Sequence, residues 1–139
     1  MTAEDDCLFC RIVAGELPAR VIAEDDLTLA FMDISPATRG HALIIPKRHS
    51  DDLFDVGEED LEACMARARQ VALLARDRLG ADGVNILNSC RPAAWQTVYH
   101  FHVHVIPRYD GDPLRLPWDP KPGDDADIAE AAAAYTGAA

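Results

Sequence analysis

Three of the five histidines in this 139-residue chain, His100, His102 and His104, follow one another at two-residue spacing. The residues between and after them are aromatic or β-branched, which favours a β-strand. Because successive side chains of a strand point to opposite faces, the three imidazoles are predicted to share one face at intervals of roughly 6.6–7 Å. An imidazole can act as a nucleophile, acid, base or metal ligand, so this pattern predicts a reactive surface rather than an accidental half-exposed strand.

The segments around these histidines predict an α+β fold. A short helix is predicted at 7–14. A long helix is predicted to begin after Asp55, its N-cap, which an acidic residue, Glu58, follows three positions later, and Gly80 ends this helix. The predicted strands besides the histidine segment are 20–24, 27–32, 42–45 and 84–87. Strands, one long helix and then further strands are typical of an α+β domain with a mostly antiparallel sheet.

Length and composition indicate one globular domain over 1–139, with its core at about 7–108 and a tail at 109–139 that holds a possible short helix. Twenty-four acidic and 13 basic residues give a net charge of −11, which argues against binding long nucleic acid. No apolar run approaches the ~18 residues of a membrane span. With an acidic N-terminus and only four cysteines, we expect a cytoplasmic protein whose thiols are reduced or bound to metal.

The segment from His100 to Ile106 resembles the His-φ-His-φ-His-φ-φ signature of the histidine triad (HIT) family of nucleotide hydrolases and transferases. Residues 31–36 are similar to the family's ribose-binding turn, 41–49 to its next strand and 96–99 to its phosphate-contacting segment. The pattern is closest to the bacterial HIT-like hydrolases with an N-terminal Cys-x-x-Cys. The resemblance implies a five-stranded antiparallel sheet with flanking helices, usually in a homodimer that joins two sheets.

The resemblance also implies a mechanism without a catalytic metal. His102 would attack the α-phosphate of a nucleoside 5′-phosphate derivative, such as a phosphoramidate, an acyl-adenylate or a dinucleoside polyphosphate. A covalent nucleotidyl-histidine would form and be resolved by water or another acceptor, which divides one displacement into two easier steps. His104 would contact the α-phosphate or the leaving group as a donor or acid. His41 would orient His104, or would be a structural histidine.

The implied ligand is a purine nucleotide or nucleotide conjugate. Asp33 would accept hydrogen bonds from the ribose hydroxyls. The apolar residues that match the base-binding slot are Phe9, Phe31 and Ile34. The polar residues that would donate to phosphate oxygens are Asn88, Gln96 and Thr97.

The loop from Asn88 to Trp95 departs from the family pattern because it contains no glycine. Glycine permits backbone conformations that other residues avoid, so we expect a differently shaped phosphate loop. Trp95 would cover the leaving-group side of the pocket or pack against the protein. Arg91 would supply a cation for a phosphorylated leaving group or lie exposed in solvent.

Cys7 and Cys10 form a Cys-x-x-Cys pair, which alone is ambiguous between metal binding, redox chemistry and neither. Two further histidines, His49 and His100, would complete a tetrahedral Cys₂His₂ zinc site, as in many bacterial relatives. Four protein ligands leave no open position, so such a zinc ion would be structural and would tie the N-terminal segment to the sheet.

Three other functions stay open at this point. The chain could be a catalytically weak nucleotide-binding or interaction protein of the same fold. It could be a dinucleoside polyphosphate phosphorylase or nucleotidyltransferase. It could also be a hydrolase that binds a catalytic metal through the three histidines, although their spacing along one strand is wide for ligands of a single ion.

Overall fold

The computed structural model describes residues 6–137, so residues 1–5 and 138–139 of the predicted domain lie outside it. The helices are α1 (Leu8–Val13), α2 (Glu58–Leu79) and α3 (Asp125–Thr136), and a 3-10 turn spans Pro92–Ala94. The strands are β1 (Val21–Glu24), β2 (Thr28–Met32), β3 (Ala42–Pro46), β4 (Gly83–Leu87) and β5 (Val103–Arg108).

The five strands form one sheet in the order β1-β2-β3-β5-β4, and every neighbouring pair is antiparallel. The prediction of an α+β fold with a five-stranded antiparallel sheet and one long helix is therefore confirmed. β5 lies between β3 and β4, so the residues of the histidine segment that join the sheet are held from both sides. A central strand is a rigid support for reactive side chains.

Helix α2 covers one face of the sheet, and the strand side chains alternate accordingly. Val103 and Val105 of β5 pack with Ala30 and Ile44 against the buried stripe of α2 that includes Cys64. The neighbouring residues of the same strands point to the opposite face, where Phe31 and Leu43 pack with Phe9 of α1. Since α1 has only six residues, it covers only part of this second face.

The histidine segment is shorter as a strand than predicted. We expected a strand from His100, but β5 begins at Val103. The Phe101 N–H donates instead to the Ser50 carbonyl at 2.7 Å, and the Asn88 side chain donates to the His102 carbonyl at 2.8 Å. These bonds take the backbone of 100–102 out of the ladder, but the side chains still alternate as predicted. Phe101 packs with Val103 and Val105 in the core, and on the opposite side the Phe9 ring contacts both His100 and His102.

Helix α2 begins later than predicted and ends where predicted. Its N-cap is Gly57, and its first turn carries three acidic residues that suit the positive end of the helix dipole. Asp55, the predicted cap, accepts the Asp51 N–H at 2.9 Å instead. Gly80 ends the helix in the left-handed region with φ of 70°, a conformation that glycine adopts without strain.

The tail beyond β5 contains the predicted short helix, α3. None of its residues is buried, although Ile128 and Tyr135 are large apolar side chains. Among residues 6–137, no helix is both long and apolar enough to cross a membrane.

Candidate functional site

The open part of the second sheet face forms a cavity of about 460 Å³ beside α1. One end of the cavity is polar, with the imidazoles of His102 and His104 and the side chain of Thr97. The rest is mostly apolar, and Asp33 and Ser35 contribute to its wall. The size is in the usual range for small-ligand sites, which are largely apolar with a few polar groups.

The His102 ring is held in one orientation by its surroundings. Its Nδ1 lies 2.7 Å from the His100 carbonyl oxygen. A carbonyl can only accept, so Nδ1 carries the proton and Nε2 has an unprotonated lone pair. The edge-to-face contact with Phe9, at 5.2 Å between ring centroids, fixes the ring from a second side. His102 therefore has one unprotonated nitrogen, as a nucleophile requires.

His104 has the opposite tautomer because of a hydrogen-bond chain through His41. The Ala37 N–H donates to His41 Nδ1 at 2.9 Å, so the proton of neutral His41 is on Nε2. His41 Nε2 lies 2.9 Å from His104 Nδ1, which therefore accepts, leaving the proton of His104 on its Nε2. The two ring centroids of His102 and His104 are 5.0 Å apart. The site thus pairs a lone-pair nitrogen with an N–H donor.

Burial keeps these rings neutral. It lowers the pKa of His104, and with the neighbouring His102 and His41 brings that pKa to about 4. Burial also lowers the pKa of His102 and of His41, although the Asp33 carboxylate opposes both shifts. Neutral rings agree with the tautomers that the hydrogen bonds require.

Asp33, His41 and His104 also lie close enough together to hold a metal ion. The hydrogen-bond pattern argues against that role. His41 Nδ1 accepts from a backbone N–H, so its Nε2 could bind a cation only after losing the ring's remaining proton. Asp33 Oδ2 is 3.5 Å from His41 Nε2, a distance that fits a weak second acceptor for the same proton. The three residues form a hydrogen-bonded relay.

The cavity brings together most of the residues predicted to bind the nucleotide. Its lining includes five of them: Phe9, Phe31, Asp33, Ile34 and Thr97. Phe9 and Phe31 are almost fully buried and pack edge to face, so only part of each ring can meet a ligand. Ile34 is 96% exposed and lies at the rim. Asp33 Oδ1 accepts the Ser35 N–H at 2.7 Å, which orients the carboxylate.

Asn88 and Gln96, two of the three predicted phosphate donors, do not line the cavity. Gln96 is buried, and its amide nitrogen donates to the Asp51 and Val98 carbonyls at 2.7 and 3.1 Å. Asn88 holds the His102 carbonyl. Within the described residues, its buried Oδ1 has no hydrogen-bond partner. Asn88 therefore braces the backbone at His102, whereas Gln96 connects its own loop to the backbone of Asp51.

The second cluster consists of Cys7, Cys10, His49 and His100, whose ligand atoms all lie within 4.8 Å of one another. His100 Nδ1 is 3.3 Å from Cys7 Sγ and 3.4 Å from Cys10 Sγ, and His49 Nδ1 is 3.3 Å from Cys10 Sγ. Bond lengths of about 2.3 Å to sulfur and 2.0–2.1 Å to nitrogen put ligands of a tetrahedral zinc ion about 3.6 Å apart. The cluster is compact enough for one such ion.

The tautomers of both histidines in this cluster fit metal binding. His100 Nε2 donates to the Pro46 carbonyl at 2.8 Å, and His49 Nε2 donates to Asp51 Oδ1 at 2.8 Å. Each ring is then left with an unprotonated Nδ1 directed at the thiols. A carbonyl or carboxylate that fixes the outer nitrogen is the usual support of a metal-binding histidine.

Sequence reasoning missed several residues that shape the two clusters. Asp51 follows His49 by two positions, and a carboxylate next to a predicted metal-binding histidine was a usable signal. The backbone groups of Ala37, Pro46 and His100 have no sequence signal, because any residue supplies them. The missed apolar wall is Leu8, Ile12, Leu17, Pro18, Ala19, Leu43 and Val98, which look like ordinary core residues in the sequence.

Comparisons with known proteins agree with this geometry. The HIT domain profile matches residues 14–111. The chain belongs to the histidine triad (HIT) family. The protein called Protein hit of Bacillus subtilis is 37% identical over an alignment of 139 positions, which covers 96% of this chain and 96% of that one.

Two further HIT relatives bear on the site. A crystal structure of a zinc-bound histidine triad family protein from Mycobacterium smegmatis has a TM-score of 0.78 and 42% identity, covering 97% of this chain and 98% of that one. Adenylylsulfatase HINT3 of Arabidopsis thaliana is 35% identical over 113 residues, covering 81% of this chain and 57% of HINT3. The HIT family thus includes enzymes that act on nucleotides and proteins that bind zinc.

Proposed function

We propose that this HIT protein is a nucleotidyl hydrolase or transferase acting at the α-phosphate of nucleoside 5′-phosphate derivatives. The observation that carries the proposal is the pair of opposite tautomers at the polar end of the cavity. His102 has a free lone pair on Nε2, and His104 has a proton on Nε2. A phosphorus atom next to both would meet a nucleophile and a donor to its oxygens.

The first step forms a bond between His102 Nε2 and the α-phosphorus while the bond to the leaving group breaks. His102 then carries both the nucleotidyl group and its Nδ1 proton, so its ring becomes cationic. The His100 carbonyl at Nδ1 and the Asp33 carboxylate both favour that charge. His104 donates to the phosphate, because a ring with a pKa of about 4 is neutral near pH 7. The departing group takes up a proton from solvent as it leaves. Water then attacks phosphorus, the P–N bond breaks, neutral His102 is restored, and the attacking water returns one proton to solvent.

The test of the function is hydrolysis of adenosine 5′-phosphoramidate by the purified protein, with and without a chelator of divalent metals. We expect release of AMP at the same initial rate in both samples, since no metal takes part in the steps above. Activity that disappears on brief chelation while the protein stays folded would instead favour the metal-dependent hydrolase. Absence of a single-turnover burst would favour the catalytically weak nucleotide-binding protein.

Replacing His41 with phenylalanine is expected to lower kcat by tenfold to about a hundredfold and to leave the Kd for AMP almost unchanged. The substitution removes the donor to His104 Nδ1, and a lost hydrogen bond at a buried polar group costs about 1–3 kcal/mol. Steady-state kinetics with a nucleotide-binding titration gives both numbers. If His41 has only a structural role, the variant would have a lower free energy of unfolding and the same kcat as the wild type.

Asp33→Asn is expected to reduce the preference for a ribonucleotide over its 2′-deoxy analogue by about tenfold. The carboxylate lies in the cavity wall, where we propose that it accepts from ribose hydroxyls, and hydrogen bonds to a charged acceptor contribute about 1.5–3 kcal/mol. The asparagine Oδ1 can still accept the Ser35 N–H, so the turn is retained. The measurement is kcat/KM for the two phosphoramidates. An unchanged ratio of the two kcat/KM values would mean that Asp33 does not recognise the ribose.

We also propose that Cys7, Cys10, His49 and His100 hold one structural zinc ion. The spacing of the four ligand atoms and the fixed outer nitrogens of both histidines support this assignment. A closed set of four protein ligands leaves no position for substrate. The ion would connect the N-terminal segment to His49, which follows β3, and to His100, which precedes β5. It would thus stabilise the segment that carries the catalytic pair, His102 and His104.

The proposed assembly is a homodimer of single-domain chains that joins two sheets at their β4 edges. β4 is an edge strand, and its Ile86 and Leu87 are exposed in the single chain. Unpaired strand edges readily pair with another chain. Sedimentation should give twice the monomer mass of 15.2 kDa, and Ile86→Lys should shift the protein toward monomer. A monomeric wild type at micromolar concentration would contradict the assembly.

A further inference from the structure

A second cavity lies between α2 and the β1–β2 hairpin. Its volume is about 440 Å³, close to that of the catalytic cavity. Apolar side chains form most of its wall, among them Ile22, Leu74 and Leu79, and two arginines, Arg39 and Arg78, also line it. We call this surface the α2 groove. Its apolar wall and its cations suit an occupant that is itself apolar and negatively charged.

The two arginines of the α2 groove are unpaired. Within residues 6–137, neither guanidinium makes an ion pair or a hydrogen bond. Arginines elsewhere do, since Arg67 pairs with Asp25 at 2.8 Å and Arg91 pairs with Asp52 at 3.1 Å. The chain has 24 acidic residues and 13 basic ones, so carboxylates are not scarce. Both cations of the groove are therefore available to an anionic group that comes from elsewhere.

Helix α3 has the complementary surface. Ile128 and Tyr135 are 56% and 94% exposed, and their spacing of seven residues places them on the same side of the helix. Asp125 and Asp127 flank this apolar stripe, one on each side, and α3 contains no basic residue. A 12-residue helix is only marginally stable alone in water, so α3 needs a surface to pack against.

The linker before α3 favours the groove of a second chain over the helix's own. This linker begins at the groove, because the Tyr109 hydroxyl donates to the Arg39 carbonyl at 2.8 Å. Residues 113–123 contain four of the nine prolines and no helix or strand. Proline-rich segments are extended and semi-rigid, with about 3.1 Å per residue, so this segment carries α3 roughly 30 Å from its start. A helix held at that distance is poorly placed to return to the surface where its linker began.

We propose that α3 of one chain packs into the α2 groove of a second copy, with Ile128 and Tyr135 against the apolar wall and the two aspartates beside the arginines. In a two-fold assembly each chain supplies one helix and accepts one. The contact uses neither the β4 edge nor the catalytic histidines, so it is independent of the proposed β4 interface and of the proposed function. It provides a partner both for the unpaired arginines and for the unburied helix.

The direct test is a photo-cross-link from α3 in the full-length protein. p-Benzoylphenylalanine at position 135 replaces an aromatic side chain that is 94% exposed, so the chain should fold. Illumination should give a covalent dimer of twice the 15.2 kDa chain mass, linked to groove residues such as Met32 or Leu74. The same probe at position 129, on another side of α3, is the matched control and should lose this product. A link within one chain, a link to another surface, or no link from position 135 would overturn the inference.

Charge variants test the part played by the arginines. Arg39→Glu combined with Arg78→Glu should lower the yield of the position-135 cross-link by about tenfold, because two attractive charge pairs become repulsive. Both side chains are exposed in the single chain, so its fold should be retained. Arg69→Glu, at an exposed position of α2 outside the groove, is the matched control and should leave the yield unchanged. Equal yields in the double variant and in Arg69→Glu would overturn the inference, because the groove's cations would then have no part in holding α3.

Discussion

His102→Ala is expected to lower the rate of adenosine 5′-phosphoramidate hydrolysis by about 10⁴- to 10⁶-fold, the usual loss when a covalent nucleophile is removed. No other group in the cavity can replace it. His104 Nδ1 is occupied by the His41 proton, and its Nε2 carries a proton of its own. The Asp33 carboxylate is a weak nucleophile, and both of its oxygens have partners: Oδ1 accepts the Ser35 N–H, and Oδ2 lies 3.5 Å from His41 Nε2.

The His102→Ala variant must be shown to be folded, because His102 also contacts Phe9 and its loss could disturb the packing. Thermal unfolding, zinc content and the Kd for AMP should stay close to those of the wild type. Rapid quenching of the wild type should reveal a nucleotidyl group on His102 that is labile in acid and stable in base, as expected of a P–N bond. Equal hydrolysis rates in the two proteins would mean that His102 is not the nucleophile.

Among the changes considered, loss of the proposed zinc site is expected to have the largest effect on stability. Cys10→Ser should bind less than one zinc ion per chain and should lose roughly 3–5 kcal/mol of unfolding free energy, because loss of a structural metal is among the most destabilising changes. For a chain of this length the midpoint of thermal unfolding should fall by more than about 10 °C. Zinc content by elemental analysis and calorimetry on the same sample provide both values.

Cys90→Ser is the matched control for that experiment. Cys90 is half-buried like Cys10, but it does not belong to the four-residue cluster. We expect this variant to keep its zinc and its unfolding temperature. Prolonged dialysis of the wild type against a chelator should reproduce the unfolding temperature of Cys10→Ser. A wild type that contains no zinc, or that unfolds at the same temperature after zinc removal, would contradict the assignment.

The two sites divide the three histidines of the motif between them. His100 leaves the strand and points its Nδ1 at the thiols, whereas His102 and His104 remain at the cavity. The His100 carbonyl still serves the second site, since it holds the His102 Nδ1 proton. One residue thus connects the proposed zinc site to the nucleophile. We therefore expect Cys10→Ser to lower kcat as well as stability.

The sequence by itself determined the sheet, the long helix and the family. Alternation of Val103, His104 and Val105 requires a strand with a buried and a reactive face, and the structure has that strand. Glycine at position 80 was enough to predict the end of α2, because the left-handed conformation there strongly favours glycine. The resemblance to the HIT signature predicted that His102 and His104 act on the same phosphate, and both residues line the cavity.

Tertiary structure decided the orientation and protonation of those side chains. The tautomers of His102, His104 and His41 depend on bonds to His100 and Ala37 backbone groups, which every sequence provides and no sequence pattern marks. The late start of β5 at Val103 has the same kind of cause, because the Ser50 carbonyl and the Asn88 side chain hydrogen-bond to the backbone of residues 101 and 102, which would otherwise have extended the ladder. Residue types and their spacing therefore predicted which groups could react, while long-range hydrogen bonds assigned each group its role.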